Sequence, residues 1–269
     1  MHALSEDCAD PRYPALAGAW AVGCGARGEV DRAVSLETGT LIRLPIHYRS
    51  PGLAPGVVYG PGGEGGMLKL VVPVARGMDA ATVHLDVVAP AATDGTHVAV
   101  LGADQVQAFP AVERSRKVYE AHPAGWYPPA LAWPWVAWVE DGGPSGEDVF
   151  ALDVREGERT VLAEGPGPQR HVVGSGSFLA WVESDDSVTV LDTRDDHRTR
   201  YDVRTGFSAP PSLWNGVVCW EERGRDVDIR CSDRVYLGGE GHQQWPSRHD
   251  RWLLYREDGQ TMLYTVEGA

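Results

Sequence analysis

Histidine is the residue type with which this chain could most readily do chemistry. His242 and His249 flank a short polar segment, and His171 could join them from another part of the chain. Imidazole is a common metal ligand and a general acid or base near neutral pH. A metal ion needs three or four convergent ligands, however, and two histidines in one segment do not supply them. These three residues are therefore weak metal candidates against polar surface loops, and we expect no bound metal and no cofactor.

The sequence motifs that mark common catalytic sites do not occur in the chain. It contains no Gly-x-Ser-x-Gly, His-Glu-x-x-His, P-loop or dinucleotide-binding motif. The glycine-rich stretch 60–66 has no lysine and precedes no helical pattern, so we predict a hairpin turn there and not a phosphate-binding loop. No residue is therefore assigned a catalytic role, and an enzyme is the less favoured interpretation.

The four cysteines can be paired from their spacing. Placing Cys219 opposite Cys231 on neighbouring strands leaves the hairpin loop 224–226, which is an ordinary size. Directly opposed residues can meet the Cα separation that a disulfide requires. Cys8 and Cys24 then remain as a second pair. Two disulfides indicate an oxidising compartment, so we expect a periplasmic or secreted protein whose leader is absent from this sequence; reduced thiols in a cytoplasmic protein are the alternative.

One sequence phrase recurs along the chain and defines the elements that must position any site. It is an apolar strand with a tryptophan and an acid near its end, found at 135–140, 178–183 and 217–222, each followed by a second strand. With weaker copies, the phrase recurs in seven units at steps of about 39 residues, the size of a propeller blade. Its β-branched and aromatic runs, separated by Gly and Pro, exclude helical repeats. The recurring tryptophan is predicted to pack between sheets.

We therefore predict an all-β fold, a seven-bladed β-propeller forming one domain over residues 1–269. Each unit can bury its apolar face only if neighbouring units stack. A six-bladed propeller is the alternative if the third and weakest unit merges with a neighbour. The seventh unit carries two clear strands, so we expect residues before Cys8 to complete or flank it. The expected blades are residues 10–45, 46–78, 79–125, 126–165, 166–205, 206–241 and 242–269, the last closed by the N-terminus.

Residues 245–255, Trp-Pro-Ser-Arg-His-Asp-Arg-Trp-Leu-Leu-Tyr, resemble the blade signature of TolB-type propeller repeats. In that family a turn with proline, an aromatic residue and serine precedes an apolar strand. Residues 128–138 and 211–220 are weaker versions, so the resemblance to TolB-like or WD-type β-propeller repeat proteins covers about half of the chain. The family includes periplasmic scaffold proteins and the non-catalytic propellers of some peptidases. The resemblance therefore implies a propeller architecture and a binding role more than a chemical reaction.

Composition restricts the partners that the chain can have. Its formal net charge is −14, and nucleic acids and anionic membrane surfaces both need basic patches. No apolar run approaches the roughly 18 to 20 residues that span a bilayer. We therefore expect an acidic protein with a protein or glycan partner, no nucleic acid partner and no membrane span.

The repeat itself predicts where a ligand would bind. If the innermost strand of each blade starts at its opening proline, the residue before that proline lies at the mouth of the central channel. These positions differ in chemistry from unit to unit, as those of a binding site would, and plain channel lining is the alternative. The candidate ligand-binding residues are Tyr13, Ser50, Tyr127 and Trp245, together with Arg170 at the matching place in the fifth unit. One cationic group among aromatic rings and a hydroxyl suits an acidic or glycan-like ligand.

Together these observations favour a non-enzymatic binding or scaffold propeller of the bacterial envelope or secreted space. Its ligand or partner would bind at the channel mouth. A carbohydrate-active lyase or hydrolase with a site at the same mouth is the second hypothesis, and a purely structural domain of a larger complex is the third.

Overall fold

The structure is a computed structural model of the whole chain. It describes residues 2–3, 15–17, 20–24, 32–39, 41–43, 52–54, 57–61, 68–72, 81–85, 91–94, 96–110, 117–124, 127–142, 146–184, 186–203, 210–239, 241–258 and 260–266. Before residue 91 the described side chains are those of Leu16, Ala21 and residues 34–39.

Every regular element of the described residues is a β-strand. In the first half of the chain the strands are β1 (His2–Ala3), β2 (Ala15–Ala17), β3 (Trp20–Cys24), β4 (Arg32–Ser35), β5 (Leu41–Arg43), β6 (Gly52–Ala54), β7 (Val57–Pro61), β8 (Leu68–Val72), β9 (Ala81–Leu85), β10 (Ala91–Thr93), β11 (His97–Leu101), β12 (Gln105–Pro110) and β13 (Lys117–Glu120). In the second half they are β14 (Ala130–Ala132), β15 (Trp135–Asp141), β16 (Glu147–Asp153), β17 (Glu158–Ala163), β18 (Gln169–Ser175), β19 (Phe178–Glu183), β20 (Ser187–Asp192), β21 (His197–Asp202), β22 (Ser212–Trp214), β23 (Val217–Arg223), β24 (Val227–Cys231), β25 (Tyr236–Leu237), β26 (Gln243–His249), β27 (Trp252–Glu257) and β28 (Gln260–Thr265).

Across the described ranges the strands form seven antiparallel four-stranded sheets. Six of them are meanders in chain order: β2 to β5, β6 to β9, β10 to β13, β14 to β17, β18 to β21 and β22 to β25. We number these the first to sixth sheets. The seventh sheet has the order β26-β27-β28-β1, so it joins the two ends of the chain. The all-β prediction is confirmed, and the strand expected from the residues before Cys8 is β1.

The recurring aromatic residue lies in the packing between sheets, as the phrase predicted. Trp138, Trp181, Trp220 and Tyr255 occupy equivalent positions in the second strand of the fourth to seventh sheets, and each is at most 5% exposed. Both faces of a sheet are covered in this arrangement. The sequence of β19 shows the consequence, because its four central residues, 179–182, are consecutive, apolar and all buried.

One strand lies in a different sheet from the one that its sequence suggested. Residues 81–85 were expected to open the third unit, but β9 pairs antiparallel with β8, from Leu68↔Leu85 to Val72↔Ala81. It is therefore the last strand of the second sheet, and the third sheet begins at Ala91. An isolated apolar strand carries no signal for which neighbour it pairs with, so only the long-range hydrogen bonds assign it.

The first strands of the sheets contact one another in sequence. β2 contacts β6, and the contacts continue through β10, β14, β18 and β22 to β26, which in turn contacts β2. Serine side chains join three of these strands: the backbone N–H of Leu16 donates to Ser247 Oγ at 2.8 Å, and that of Arg248 donates to Ser212 Oγ at 2.7 Å. These two backbone N–H groups, at the edges of first strands, thereby have hydrogen-bond acceptors in the neighbouring sheet.

The predicted disulfide between Cys219 and Cys231 is present. The two residues are direct cross-strand partners in β23 and β24, with a Cα–Cα distance of 4.0 Å. Both are buried, in a cluster that includes Ile229, Leu253 and Tyr255. For the second predicted pair, Cys8 lies outside the described residues, and Cys24 is described only as the last backbone position of β3.

Candidate channel-mouth site

Two first strands share an irregularity where they begin. In β18 the pairing with β19 shifts between Arg170 and Val173, and in β26 the pairing with β27 shifts between Gln244 and Ser247. Both shifts are β-bulges, which re-aim side chains near sites and at rims. The second residue of each bulge has left-handed backbone, with φ of 55° at His171 and 58° at Trp245. A bulky residue rarely adopts this conformation, so the surrounding pairing must impose it.

Because of the bulges, the predicted residues do not all occupy equivalent positions in their sheets. The pairs Ala130↔Ala137 and Ser247↔Leu254 are equivalent in the fourth and seventh sheets. Counting back from them along the first strands, Tyr127 is equivalent to Gln244, and to Arg170 in the fifth sheet. Trp245 lies one residue further along and matches His171. The sequence aligned Trp245 with Tyr127 because each precedes a proline. However, Pro128 is followed by a second proline, and this second proline is the one that corresponds to Pro246. Tyr13 and Ser50 lie outside the described residues.

Three of the predicted mouth residues, Tyr127, Arg170 and Trp245, lie among the described residues, and the side chains of Tyr127 and Arg170 interact. Tyr127 packs edge-on against His171 with ring centroids 5.5 Å apart, and its hydroxyl donates to Glu147 Oε2 at 3.4 Å. Burial raises the pKa of Tyr127, Glu147 raises it further, and the nearby Arg170 opposes the shift. The corner between the fourth and fifth sheets therefore holds a phenol, a carboxylate, a guanidinium and an imidazole together.

Trp245 belongs to a second corner, between the sixth and seventh sheets. Its backbone N–H donates to Glu221 Oε1 at 2.8 Å, and Glu221 is 1% exposed. The buried carboxylate thus holds the bulge that presents a partly exposed indole. Glu221 was not singled out from the sequence, because it reads as one of two adjacent acids at the end of a strand.

Two buried glutamines next to the bulges also went unrecognised. Gln169 and Gln243 are each 2% exposed and each begins a bulged strand. The side-chain amide of Gln169 donates to the Gly167 carbonyl at 3.2 Å, and that of Gln243 donates to Glu257 Oε1 at 2.7 Å. A sequence signal exists, since Gly-x-Gln occurs at both places, at 167–169 and at 241–243.

The three candidate metal ligands have separate surroundings. His171 packs on Tyr127, and His249 lies against Trp214 with ring centroids 3.7 Å apart. His242 is exposed, and its backbone N–H donates to Asp258 Oδ1 at 3.2 Å. Among the residues that the structure describes, no three His, Cys, Asp or Glu side chains converge as metal ligands would. The chemistry that the side chains of these two corners offer is hydrogen bonding, ion pairing and aromatic stacking.

In the described part of the chain, none of the elements is a helix with the length and apolar character needed to cross a membrane.

Comparison with known proteins finds likeness in structure but not in sequence. No family model matches the chain, and no curated protein matches it. Among solved structures, the β-propeller domain of the trilobed protease from Pyrococcus furiosus superposes with a TM-score of 0.65 at 10% identity, covering 95% of this chain and 92% of that one. The Myceliophteria thermophila Cps50 (Swd1) β-propeller domain gives 0.61 at 12% identity, with 99% of each chain covered. BamB from Moraxella catarrhalis gives 0.52 at 14% identity, with 95% and 83% covered.

These likenesses show the fold. The chain is a β-propeller, as the resemblance to TolB-like and WD-type repeats implied. The Pyrococcus furiosus domain is described as having an open velcro topology. In the present chain β1 pairs with β28, so residues from both ends share the seventh sheet.

Proposed function

We propose that the seven sheets are the blades of one seven-bladed ring that forms a single domain over residues 1–269. The cyclic order of contacts from β2 through β26 and back to β2 supports this. The pairing of β1 with β28 and the hydrogen bond from Leu16 to Ser247 support closure between the last blade and the first. Removing residues 1–7 deletes β1 and exposes the edge of β28, so the melting temperature should fall. An unchanged melting temperature contradicts closure by β1.

We propose that this propeller is a non-enzymatic binding or scaffold module that holds a protein partner at the channel mouth. The observation that carries the proposal is the pair of bulged corners, which present Tyr127 with Arg170 on one side and Trp245 on the other. Aromatic residues and arginine are the side chains most enriched at binding hot spots. Tyr13 and Ser50 are expected on the same mouth. Arg170 is a cation in a chain of net charge −14, so it suits an acidic group of the partner.

A peptide-display screen on the full chain, followed by variants, tests this function. We expect Arg170→Gln and Trp245→Ala to weaken a selected peptide at least about tenfold, the effect of losing a hot-spot side chain. Arg194→Gln is the matched control, because Arg194 is 68% exposed in a turn after the third strand of the fifth sheet and lies outside both corners. Equal binding by all three variants would place the partner elsewhere.

We also propose that the protein is exported to a periplasmic or extracellular space. The buried Cys219–Cys231 bond supports this, because disulfides persist in oxidising compartments. A thiol count on unfolded, unreduced protein from the native host is the test. No free thiol at Cys219 or Cys231 is the expected result, and reduced thiols at both would contradict export.

A further inference from the structure

Asp148 is a buried carboxylate near the start of β16. It is 7% exposed, and its Oδ1 atom has no hydrogen-bond partner among the residues that the structure describes. A buried polar atom without a partner costs free energy, and the cost is larger for an ionised group. Buried acids in folded proteins are therefore paired, hydrogen-bonded or bound to a metal ion. The lack of a partner for Oδ1 indicates that a group from outside the chain belongs beside it.

The charged groups around Asp148 increase the need for a cation. Asp148 lies directly opposite Glu140 across the β15–β16 pair, and like charges at such positions repel. Glu140 is itself 4% exposed and already has its partners, Arg159 Nη2 and Trp138 Nε1, each at 2.6 Å. The guanidinium of Arg159 is bonded to Glu140, so it is not a partner of Asp148 in the hydrogen bonds of the described residues.

The backbone of the adjoining turn approaches the Asp148 carboxylate closely. A Cβ atom on Gly142 would lie 2.0 Å from Asp148 Oδ2 and 2.8 Å from the Gly146 carbonyl oxygen, so only glycine fits. The Gly142 N–H donates to that carbonyl at 2.5 Å. Carboxylate and backbone carbonyl oxygens are the ligands of hard divalent cations, and Ca²⁺ accepts them in irregular arrangements.

We propose that this corner is a cation site, in which a hard divalent ion of the calcium class binds to Asp148. The carboxylate is the anchoring ligand, and the Gly146 carbonyl oxygen and water complete the shell. Because the described residues bring no three acidic or histidine side chains together, the site has few charged ligands. We therefore expect weak binding, with a Kd of about 10⁻⁴ to 10⁻³ M, which is the range of extracellular calcium modules.

The sixth sheet supplies the equivalent position in a less buried form, because Asp228 is half-buried. Asp228 lies opposite Glu222 as Asp148 lies opposite Glu140. However, Asp228 Oδ2 accepts a hydrogen bond from the Tyr236 hydroxyl at 2.7 Å. The equivalent carboxylate is therefore half-buried and hydrogen-bonded in the sixth sheet but buried in the fourth, and only Asp148 is expected to bind a cation.

Calorimetric titration of the chelator-treated full chain with CaCl₂, and with MgCl₂ for comparison, tests the site. We expect saturable calcium binding by the wild type and by Asp228→Asn, and a Kd at least tenfold higher for Asp148→Asn. A rise in melting temperature with calcium should accompany binding in the first two proteins and not in the third. No saturable calcium binding by the wild type up to about 10 mM overturns the proposal, because that exceeds the expected Kd.

Wild-type affinity in Asp148→Asn overturns it as well. If Asp148→Asn does not fold, Asp148→Ser replaces it, because serine also removes the carboxylate and has a smaller side chain. Unchanged calcium binding by that variant counts against the site, and weakened binding supports it.

Discussion

The fourth and fifth sheets pack through a different kind of interface from the sixth and seventh. The first interface is apolar and includes Val139, Val149, Val172, Leu179 and Trp181, all at most 3% exposed. The second contains the Cys219–Cys231 disulfide, the buried carboxylate of Glu221 and the buried guanidinium of Arg248. The same repeat therefore joins its units once through an apolar core and once through a core that also contains a disulfide and buried charged groups.

Equivalent positions show how the difference arises. Glu221 stands where the fourth sheet has Val139, and its carboxylate accepts the N–H of the bulge residue in the next sheet. Arg248 stands where the fourth sheet has Leu131, and its Nη2 donates to Asp233 Oδ2 at 3.0 Å. Buried charged pairs add little net stability over apolar residues, but they restrict geometry. The polar interface therefore serves to hold the Trp245 corner in place, and four predictions test this contrast.

The largest expected effect is at the apolar interface. Trp181 is 1% exposed, and its indole N–H has no hydrogen-bond partner within the described ranges, so its main contribution is packing. We expect Trp181→Ala to lower the free energy of unfolding by about 3 to 5 kcal/mol, through lost apolar contact and a cavity. Urea denaturation is the measurement. Val161→Ala is the control, because Val161 is 41% exposed and its truncation should change stability by about 0.5 kcal/mol or less.

Loss of the disulfide is expected to have the next largest effect. The bond closes a short loop with a sequence separation of 12, so chain entropy limits its contribution to about 3 kcal/mol. A double variant, Cys219→Ala with Cys231→Ala, should unfold at lower urea concentration than the oxidised wild type. A wild type unfolded under reducing conditions should resemble the double variant. Equal midpoints for oxidised and reduced protein would show that packing alone holds this interface.

Substituting the two partners of the Arg248–Asp233 pair should lower stability by different amounts. Asp233→Ala leaves a guanidinium buried without its partner, and we expect a loss of about 2 kcal/mol, since the Asp233 side chain is itself 26% exposed. Arg248→Leu installs the residue found at the matching position in the fourth sheet and should cost about 1 kcal/mol or less. The double variant should therefore be more stable than Asp233→Ala alone. Equal losses for both single variants would contradict this account of the buried charge.

The smallest expected effect concerns pH. Burial lowers the pKa of His249, which lies against Trp214, and Asp250 only partly opposes the shift. The unfolded chain therefore binds a proton before the folded one does, so stability is full above the ordinary histidine pKa of about 6.5 and falls as pH drops below it. Melting temperatures of the wild type and His249→Gln between pH 8 and pH 5 test this. The melting temperature of the wild type should fall more between pH 8 and pH 5 than that of the variant. Parallel curves of melting temperature against pH would contradict the prediction.

Local sequence determined much of the fold. The recurring phrase predicted the all-β architecture, the buried positions of Trp138, Trp181 and Trp220, and the pairing of Cys219 with Cys231. Each of these depends on strands that are close in the chain, and hairpin length alone sets their register. The burial of the tryptophans follows from the same phrase, because stacked units must cover both faces of every sheet.

Only the tertiary structure decided the features that depend on a neighbouring sheet. The assignment of Ala81–Leu85 to the second sheet, and the bulges that move Trp245 one position from Tyr127, come from hydrogen bonds that no local pattern encodes. The burial of Glu221 and Asp148 was likewise hidden, because an acid at a strand end reads as a solvated residue. Whether such a carboxylate is exposed, paired or left to bind a cation depends on what the adjacent strands, turns and sheets place beside it.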